Sequence, residues 1–142
     1  MAQTVLITGG TGMIGKRLTE LLQEKGYEVA YLSRKQESIP NVKVYRWDVE
    51  KKWIDEKALV NADYIIHLAG AGIADGRWTD KRKQKIIQSR TSTIELIARE
   101  LQGRPYKVKA FVSASAIGFY GADTGDKRLT EQNASVSDFL TH

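Results

Sequence analysis

The first fifteen residues restrict most strongly what this chain can fold into. Thr4-Val-Leu-Ile-Thr8 is an apolar, β-branched run that leads straight into Gly9, Gly12 and Gly15. An amphipathic stretch follows at once, with Ile14, Leu18, Leu21 and Leu22 on its apolar side and Gly26 at its end. The pattern predicts a strand, a tight turn and a helix. The first turn of such a helix presents backbone N–H groups without intrahelical partners, and about half a positive charge. That combination suits a pyrophosphate. Gly9 then permits the turn, Gly12 lets the backbone approach the phosphates with Met13 and Ile14 beside it, and Gly15 lets the helix close on the strand.

The spacing is G-x-x-G-x-x-G, not the more familiar G-x-G-x-x-G of dinucleotide sites. Gly10 to Lys16 also reads G-x-x-x-x-G-K, the nucleotide-triphosphate loop up to its last position. That position needs Ser or Thr to hold magnesium, and Arg17 cannot ligate a cation. A glycine-rich turn with no ligand is the plain alternative for the loop by itself; the rest of the chain argues against it.

At 142 residues the chain is long enough for one domain with a real core. There are no cysteines, which excludes disulfides and thiolate metal sites, and no metal site is predicted. No apolar run near the N-terminus is long enough for a signal peptide or a membrane span, so a cytoplasmic protein without a membrane partner is expected. The net charge is +5, much of it in Lys81-Arg-Lys-Gln-Lys85 with Arg77 and Arg90. A nucleic-acid interface can be built from such a cluster. A solvated helix face is the simpler reading, and no nucleic-acid partner is expected.

Strand and helix patterns alternate along the chain, which predicts an α/β fold with helices on both faces of a parallel sheet. Strands are expected over Thr4–Thr8, Glu28–Ser33, Lys43–Trp47, Asp63–Leu68 and Lys107–Ser113. Helices are expected over Gly12–Lys25, weakly over Ile54–Val60, and over Asp80–Leu101 with Ile86, Ile87, Ile94, Leu96, Ile97 and Leu101 buried. The expected strand order is 3-2-1-4-5. Doubly wound dinucleotide folds usually have six strands. The chain therefore reads as the N-terminal half of something longer, with residues 1–142 as a nucleotide-binding domain whose fifth strand lies at an edge or pairs with another copy.

The end of the second strand bears on cofactor choice. An NAD site places a carboxylate about 20 residues past the glycines, to take the ribose 2′-hydroxyl. Here the strand ends Tyr31-Leu32-Ser33-Arg34-Lys35. Arg34 can fork onto a 2′-phosphate and Ser33 can add a hydroxyl, so NADP is expected in preference to NAD. Arg34 and Lys35 are otherwise ordinary surface charges. Asp48, followed by Val49, either caps the following turn or, as its resemblance to the Asp-Val pair of the short-chain dehydrogenase/reductases implies, meets an adenine amine.

Thr8-Gly-Gly-Thr-Gly-Met-Ile-Gly15 resembles the extended, epimerase-type branch of the short-chain dehydrogenase/reductases, which implies a truncated Rossmann-type sheet. His67-Leu68-Ala69-Gly70 resembles that superfamily's H-x-A element, where small residues let backbone approach the cofactor. Ala69 to Arg90, with its Arg77-Trp78…Ser89-Arg90 pattern, and Ser113-Ala-Ser115-Ala-Ile-Gly-Phe-Tyr-Gly resemble one branch more specifically. It is labelled nucleoside-diphosphate-sugar epimerase-like, or short-chain dehydrogenase family 39U. The resemblance implies NADP binding, a small-molecule substrate, and oxidoreductase or epimerase activity in a protein about twice this length. It implies that Ser115 bonds the reacting oxygen and that Ser113 and Ser89 lie by the cofactor, Ser89 where epimerases carry Asn. Arg77, Trp78 and Arg90 either wall the substrate site or are core and helix-face residues. The superfamily's acid, a Tyr in Tyr-x-x-x-Lys, is not found, since no Tyr follows Tyr120 and no Lys follows Lys127; either the pair lies past His142 or the lineage lacks it. A non-catalytic NADP-binding sensor is therefore the rival reading, and the fragment itself is expected to be inactive. A homodimer through the long helix is open, although Lys81 to Arg90 is very basic for a two-fold seam.

Overall fold

Parallel strands covered on both faces can be apolar at every position, and the first two strands follow that rule. The computed structural model describes residues 2–71, 76–103, 105–114 and 125–134. In β1 (Thr4–Thr8) the residues Val5, Leu6, Ile7 and Thr8 are all buried. In β2 (Glu28–Ser33) the same holds for Val29 to Leu32. The remaining elements are α1 (Met13–Glu24), β3 (Val42–Asp48), β4 (Trp53–Ile54), α2 (Glu56–Asn61), β5 (Tyr64–His67), α3 (Asp80–Gln102) and β6 (Ala110–Ser113). No helix of the described residues is long and apolar enough to cross a membrane.

The sheet order is β4-β3-β2-β1-β5-β6. All pairings are parallel except the short β3–β4 ladder, in which Trp47 faces Ile54. Apart from β4, this is the expected order 3-2-1-4-5. Alternation along the strands divides the core. Leu6, Ala30, Leu32 and Ile65 share one face with Leu59 of α2 and Leu96 and Ile97 of α3. Val5, Ile7, Val29 and Tyr31 share the other with Leu18 and Leu22 of α1. Each such Leu or Ile contributes about 1.5–3 kcal/mol by leaving water. Registers align the carboxyl ends: Thr8 lies opposite Leu32 and His67, and His67 opposite Ser113. Among the described residues β6 ends the sheet, with Phe111 and Val112 exposed.

Several expectations need correction. β4 was not anticipated; a two-residue ladder leaves no periodicity to read. The weak helix starts later than expected, at Glu56, because Asp55 caps it by accepting from the Lys57 N–H at 3.1 Å. The last strand is shorter and begins at Ala110. On α3, Ile87 and Ile94 are exposed. The buried stripe runs Ile86, Thr93, Leu96, Ile97, and each of those isoleucines sits one position, about 100°, outside it. On α1, Ile14 and Leu21 are exposed; Ile14 lies in the first turn, at the end of the sheet.

The amino edge is held by Asp63. Its Oδ2 accepts from the Thr4 N–H at 2.8 Å, and its own N–H donates to the Thr4 carbonyl at 2.9 Å. Lys107 Nζ lies 3.6 Å from the carboxylate. The Thr4 N–H, helped by Lys107 and Lys109, holds the Asp63 carboxyl below its ordinary value against the opposing effect of burial. A carboxyl depressed by folding stabilises the fold fully above its unfolded pKa, about 4, and ceases to as pH falls through its folded value. Asp63→Asn is expected to lower the urea midpoint at pH 7 and to flatten the loss of stability below pH about 4. Parallel acid limbs for the two proteins would show that this carboxylate does not carry the effect.

Candidate functional site

The turn between β1 and α1 needs its glycines for different reasons. Gly9 has φ +72°, a left-handed conformation that side chains resist. A Cβ there would also stand 2.8 Å from the Ala69 nitrogen. At Gly15 a Cβ would meet Gly10 Cα and its carbonyl oxygen at 2.6 Å, so helix and turn touch backbone to backbone. Gly12 is unlike either. Its φ of −72° suits any residue, and a Cβ would meet only the Gly9 carbonyl, at 3.4 Å. The fold makes little demand for glycine at this position. Gly12 is also the N-cap of α1, and no side chain caps the N–H groups there or adds acid to the first turn. Met13 and Ile14 beside it are exposed. A cradle that a Cβ would fill, at an uncapped helix start, fits a bound pyrophosphate. Arg17 pairs with Glu20 at 2.9 Å on the exposed face of α1, as befits a surface residue rather than a phosphate-loop ligand.

The segment after β5 forms the second wall. Thr8 Oγ1 accepts from the N–H groups of both Leu68 and Ala69, at 3.1 Å each. Its hydroxyl also lies 2.7 Å from His67 Nδ1. On α3, Ser89 Oγ accepts from the Ala71 N–H at 2.9 Å and donates to the Ile86 carbonyl at 2.7 Å. Arg90 Nη1 donates to the carbonyls of Ala71, at 3.3 Å, and Ile86, at 3.2 Å. Its guanidinium lies so close to Gly70 that a Cβ there would stand 2.8 Å from Arg90 Cζ. Glycine turn, 68–71 segment, Ser89 and Arg90 are thus brought together, with Ser89 and Arg90 engaged by the segment's backbone. Their part in bracing it is not visible in helical spacing. Thr8 and Thr93 were missed as site residues as well. Their only signal is polarity inside apolar elements.

The other candidates stand around this centre. Ser33 Oγ is shared between the Lys35 N–H, from which it accepts at 3.3 Å, and Glu37 Oε2, to which it donates at 3.5 Å. Glu37 is a carboxylate that the reading of the second strand's end overlooked, four residues past Ser33. Arg34 beside it is exposed. Asp48 Oδ1 accepts from the Lys51 N–H at 3.0 Å, the geometry of the turn-capping alternative, and Val49 packs against the core. Ser113 is exposed at the end of β6. Arg77 and Trp78 precede α3, whose N-cap is Thr79, and both are exposed. Ser115, Tyr120 and Gly121 lie outside the described residues. Two open grooves, of about 560 and 690 Å³, include none of the glycine-turn residues in their walls.

Comparison with known proteins fits this geometry. Residues 5–139 match the NAD dependent epimerase/dehydratase family. The epimerase family protein YfhF of Bacillus subtilis is 38% identical over 141 residues, 97% of this chain and 46% of its own length. Human epimerase family protein SDR39U1 is 34% identical over 82% of this chain and 38% of its own. A crystal structure of the human protein, isoform 2 with NADPH, superposes with a TM-score of 0.79 at 28% identity, covering 98% of this chain and 45% of that one. UDP-N-acetylglucosamine 4-epimerase from Bacillus cereus, at 20% identity and a TM-score of 0.72, shares the fold. The chain spans less than half the length of these relatives. With a parallel sheet of this order and a glycine turn of this geometry, it belongs to the NAD dependent epimerase/dehydratase family.

Proposed function

We propose that residues 1–142 are the NADP-binding domain of an oxidoreductase or epimerase-like enzyme that acts on a small molecule in the cytoplasm. The observation that carries this reading is Gly12, a glycine with little internal reason to be one, at the uncapped start of α1. The backbone from Gly12 to Gly15 holds the pyrophosphate, and Leu68, Ala69 and Gly70 lie alongside the cofactor. Ser33 and Arg34 take the 2′-phosphate, and Asp48 and Val49 border the adenine. Arg77 and Trp78 border the substrate. Ser89 and Arg90 act through the backbone they brace. When bound, the nicotinamide supplies or accepts a hydride. Ser115, with Ser113 before it, orients the reacting oxygen at the carboxyl end of the sheet, where ligands bind in open α/β folds. The human relative solved with NADPH supports the choice of cofactor.

Three outcomes are expected. Gly12→Ala should weaken NADPH binding at least tenfold while costing less stability than Gly15→Ala, whose overpacked turn should cost about 1–3 kcal/mol. Calorimetry and urea melts measure the two effects, and wild-type NADPH affinity in Gly12→Ala would remove the phosphates from this turn. Arg34→Ala should cost about 1–3 kcal/mol of NADPH affinity, as for a lost charged hydrogen bond, and leave NADH affinity nearly unchanged. Equal affinity of the wild type for both cofactors would refute the preference. In the full-length protein, Ser115→Ala should lower turnover by about 10²–10³, as for one lost donor to a reacting oxygen, with cofactor affinity kept. Hydride transfer from labelled NADPH to a panel of carbonyl compounds and nucleotide sugars reads this. No turnover on any of them, together with a cofactor-dependent change of shape, would favour a sensor.

A further inference from the structure

His67 has no task in the reaction as proposed, yet its ring is buried, 3% exposed, between β1 and α3. Nδ1 lies 2.7 Å from Thr8 Oγ1, and Nε2 lies 3.1 Å from Thr93 Oγ1. The neighbours determine where the protons are. Thr8 Oγ1 already accepts from the Ala69 N–H and from the Leu68 N–H, which it shares with the Thr8 carbonyl at 3.0 Å. Its one hydrogen therefore points at Nδ1, which must be bare. Thr93 Oγ1 spends its hydrogen on the helix carbonyls of Ser89, at 2.9 Å, and Arg90, at 2.8 Å. It must therefore accept from His67, so Nε2 carries the proton. Each hydroxyl and each ring nitrogen has one consistent role.

We infer that neutral, Nε2-protonated His67 is a positioning residue: it ties Thr8, at the root of the glycine turn, to Thr93 on α3, and so fixes the Leu68–Ala69 backbone against that turn. A second proton would place an N–H at Nδ1. Thr8 Oγ1 would then face three donors and could not accept from all of them, and the Ala69 bond would weaken, while the Leu68 N–H would keep the Thr8 carbonyl. The groups facing the ring from its packed elements are Thr8 on β1, Phe111 on β6, stacked at 6.2 Å, and Thr93 and Arg90 on α3. Of these, Arg90 carries charge. Burial first, and then Arg90, hold the imidazole below its ordinary value. The neutral arrangement is complete above the free-histidine value, about pH 6.5, and is lost as pH falls through the lower folded one.

The link to cofactor rests on the NADP reading above; the ring and backbone do not, and the two can be tested apart. Nitrogen NMR of the cofactor-free chain at pH 7 should find Nε2 protonated and Nδ1 bare. Amide exchange should show Ala69 losing about tenfold in protection as His67 protonates, the worth of one hydrogen bond, and Leu68, held also by the Thr8 carbonyl, losing less. His67→Asn, whose Oδ1 can still accept from Thr8, should keep the protection and lose the pH step. His67→Leu, which leaves the Thr8 hydroxyl unsatisfied, should lose protection at every pH. NADPH affinity should follow the same step in the wild type and not in His67→Asn, the cofactor's own phosphate titrating alike in both. A proton on Nδ1 at pH 7, or a step that persists in His67→Asn, would overturn the inference. So would NADPH affinity with the same pH profile in both proteins. The amide step without NADPH binding at any pH would uphold the tie and defeat the NADP reading.

Discussion

One hydroxyl, that of Thr8, decides whether the two backbone walls of the carboxyl edge stay together. Beyond the last paired residues of β1 and β5 the Leu68 N–H still reaches the Thr8 carbonyl, at 3.0 Å, but the Ala69 N–H runs out of ladder. Thr8 Oγ1 takes it, and a share of the Leu68 N–H as well. Left without a partner, the Ala69 N–H would cost about 1–3 kcal/mol. Valine has nearly the same shape as threonine and no acceptor, so it would fill the space and lose the function. The glycine that follows completes the joint, because Gly9 lets the Ala69 nitrogen come within 2.8 Å of where a Cβ would stand. Everything offered to a ligand from residues 9–12 and 68–71 depends on this contact. Asp63 does the equivalent work at the other end of the same strand pair, through the Thr4 N–H.

This division explains what could be read from the chain and what could not. β1 and β2 were legible because strands buried on both faces become apolar runs, and Val5 to Ile7 and Val29 to Leu32 are such runs. The glycine turn was legible because backbone contact and positive φ each demand glycine at fixed spacing. The extent of α3 was legible from its long helical pattern, expected over Asp80–Leu101 and found over Asp80–Gln102. Its buried face was not fully legible, because Ile87 and Ile94 look as apolar as Ile86 while Thr93 is the residue that goes inside. Thr93 enters the core because a partner, His67, waits 26 residues away; Thr8 has its partner 59 residues away. No local pattern carries that information. Ser89 and Arg90 were noticed for their residue types, but their bonds to the 71 backbone were not legible for the same reason: that backbone is distant in sequence.

The edge also separates a rigid part from an exposed one. Around the glycine turn the groups that would meet phosphates are main-chain N–H groups, fixed by Gly9, Gly15 and Thr8. They cost no side-chain entropy to organise, which is what strong anion binding requires. At the far end, the groups that would distinguish one dinucleotide from another are side chains in water. Arg34 is exposed there, and the Ser33 hydroxyl is already shared with Glu37 at 3.5 Å. A 2′-phosphate arriving at Ser33 must compete with that carboxylate, while Arg34 and Lys35 draw it in. Residues 33–37 carry two positive charges and one negative, so the balance favours the phosphate by a margin that salt will reduce, since exposed charges are screened. On the proposed NADP reading, affinity would reside in the buried joint at Thr8 and cofactor preference in solvated, opposed charges. Substitution of Arg34 should leave the joint largely in place, because its side chain is exposed past the end of β2.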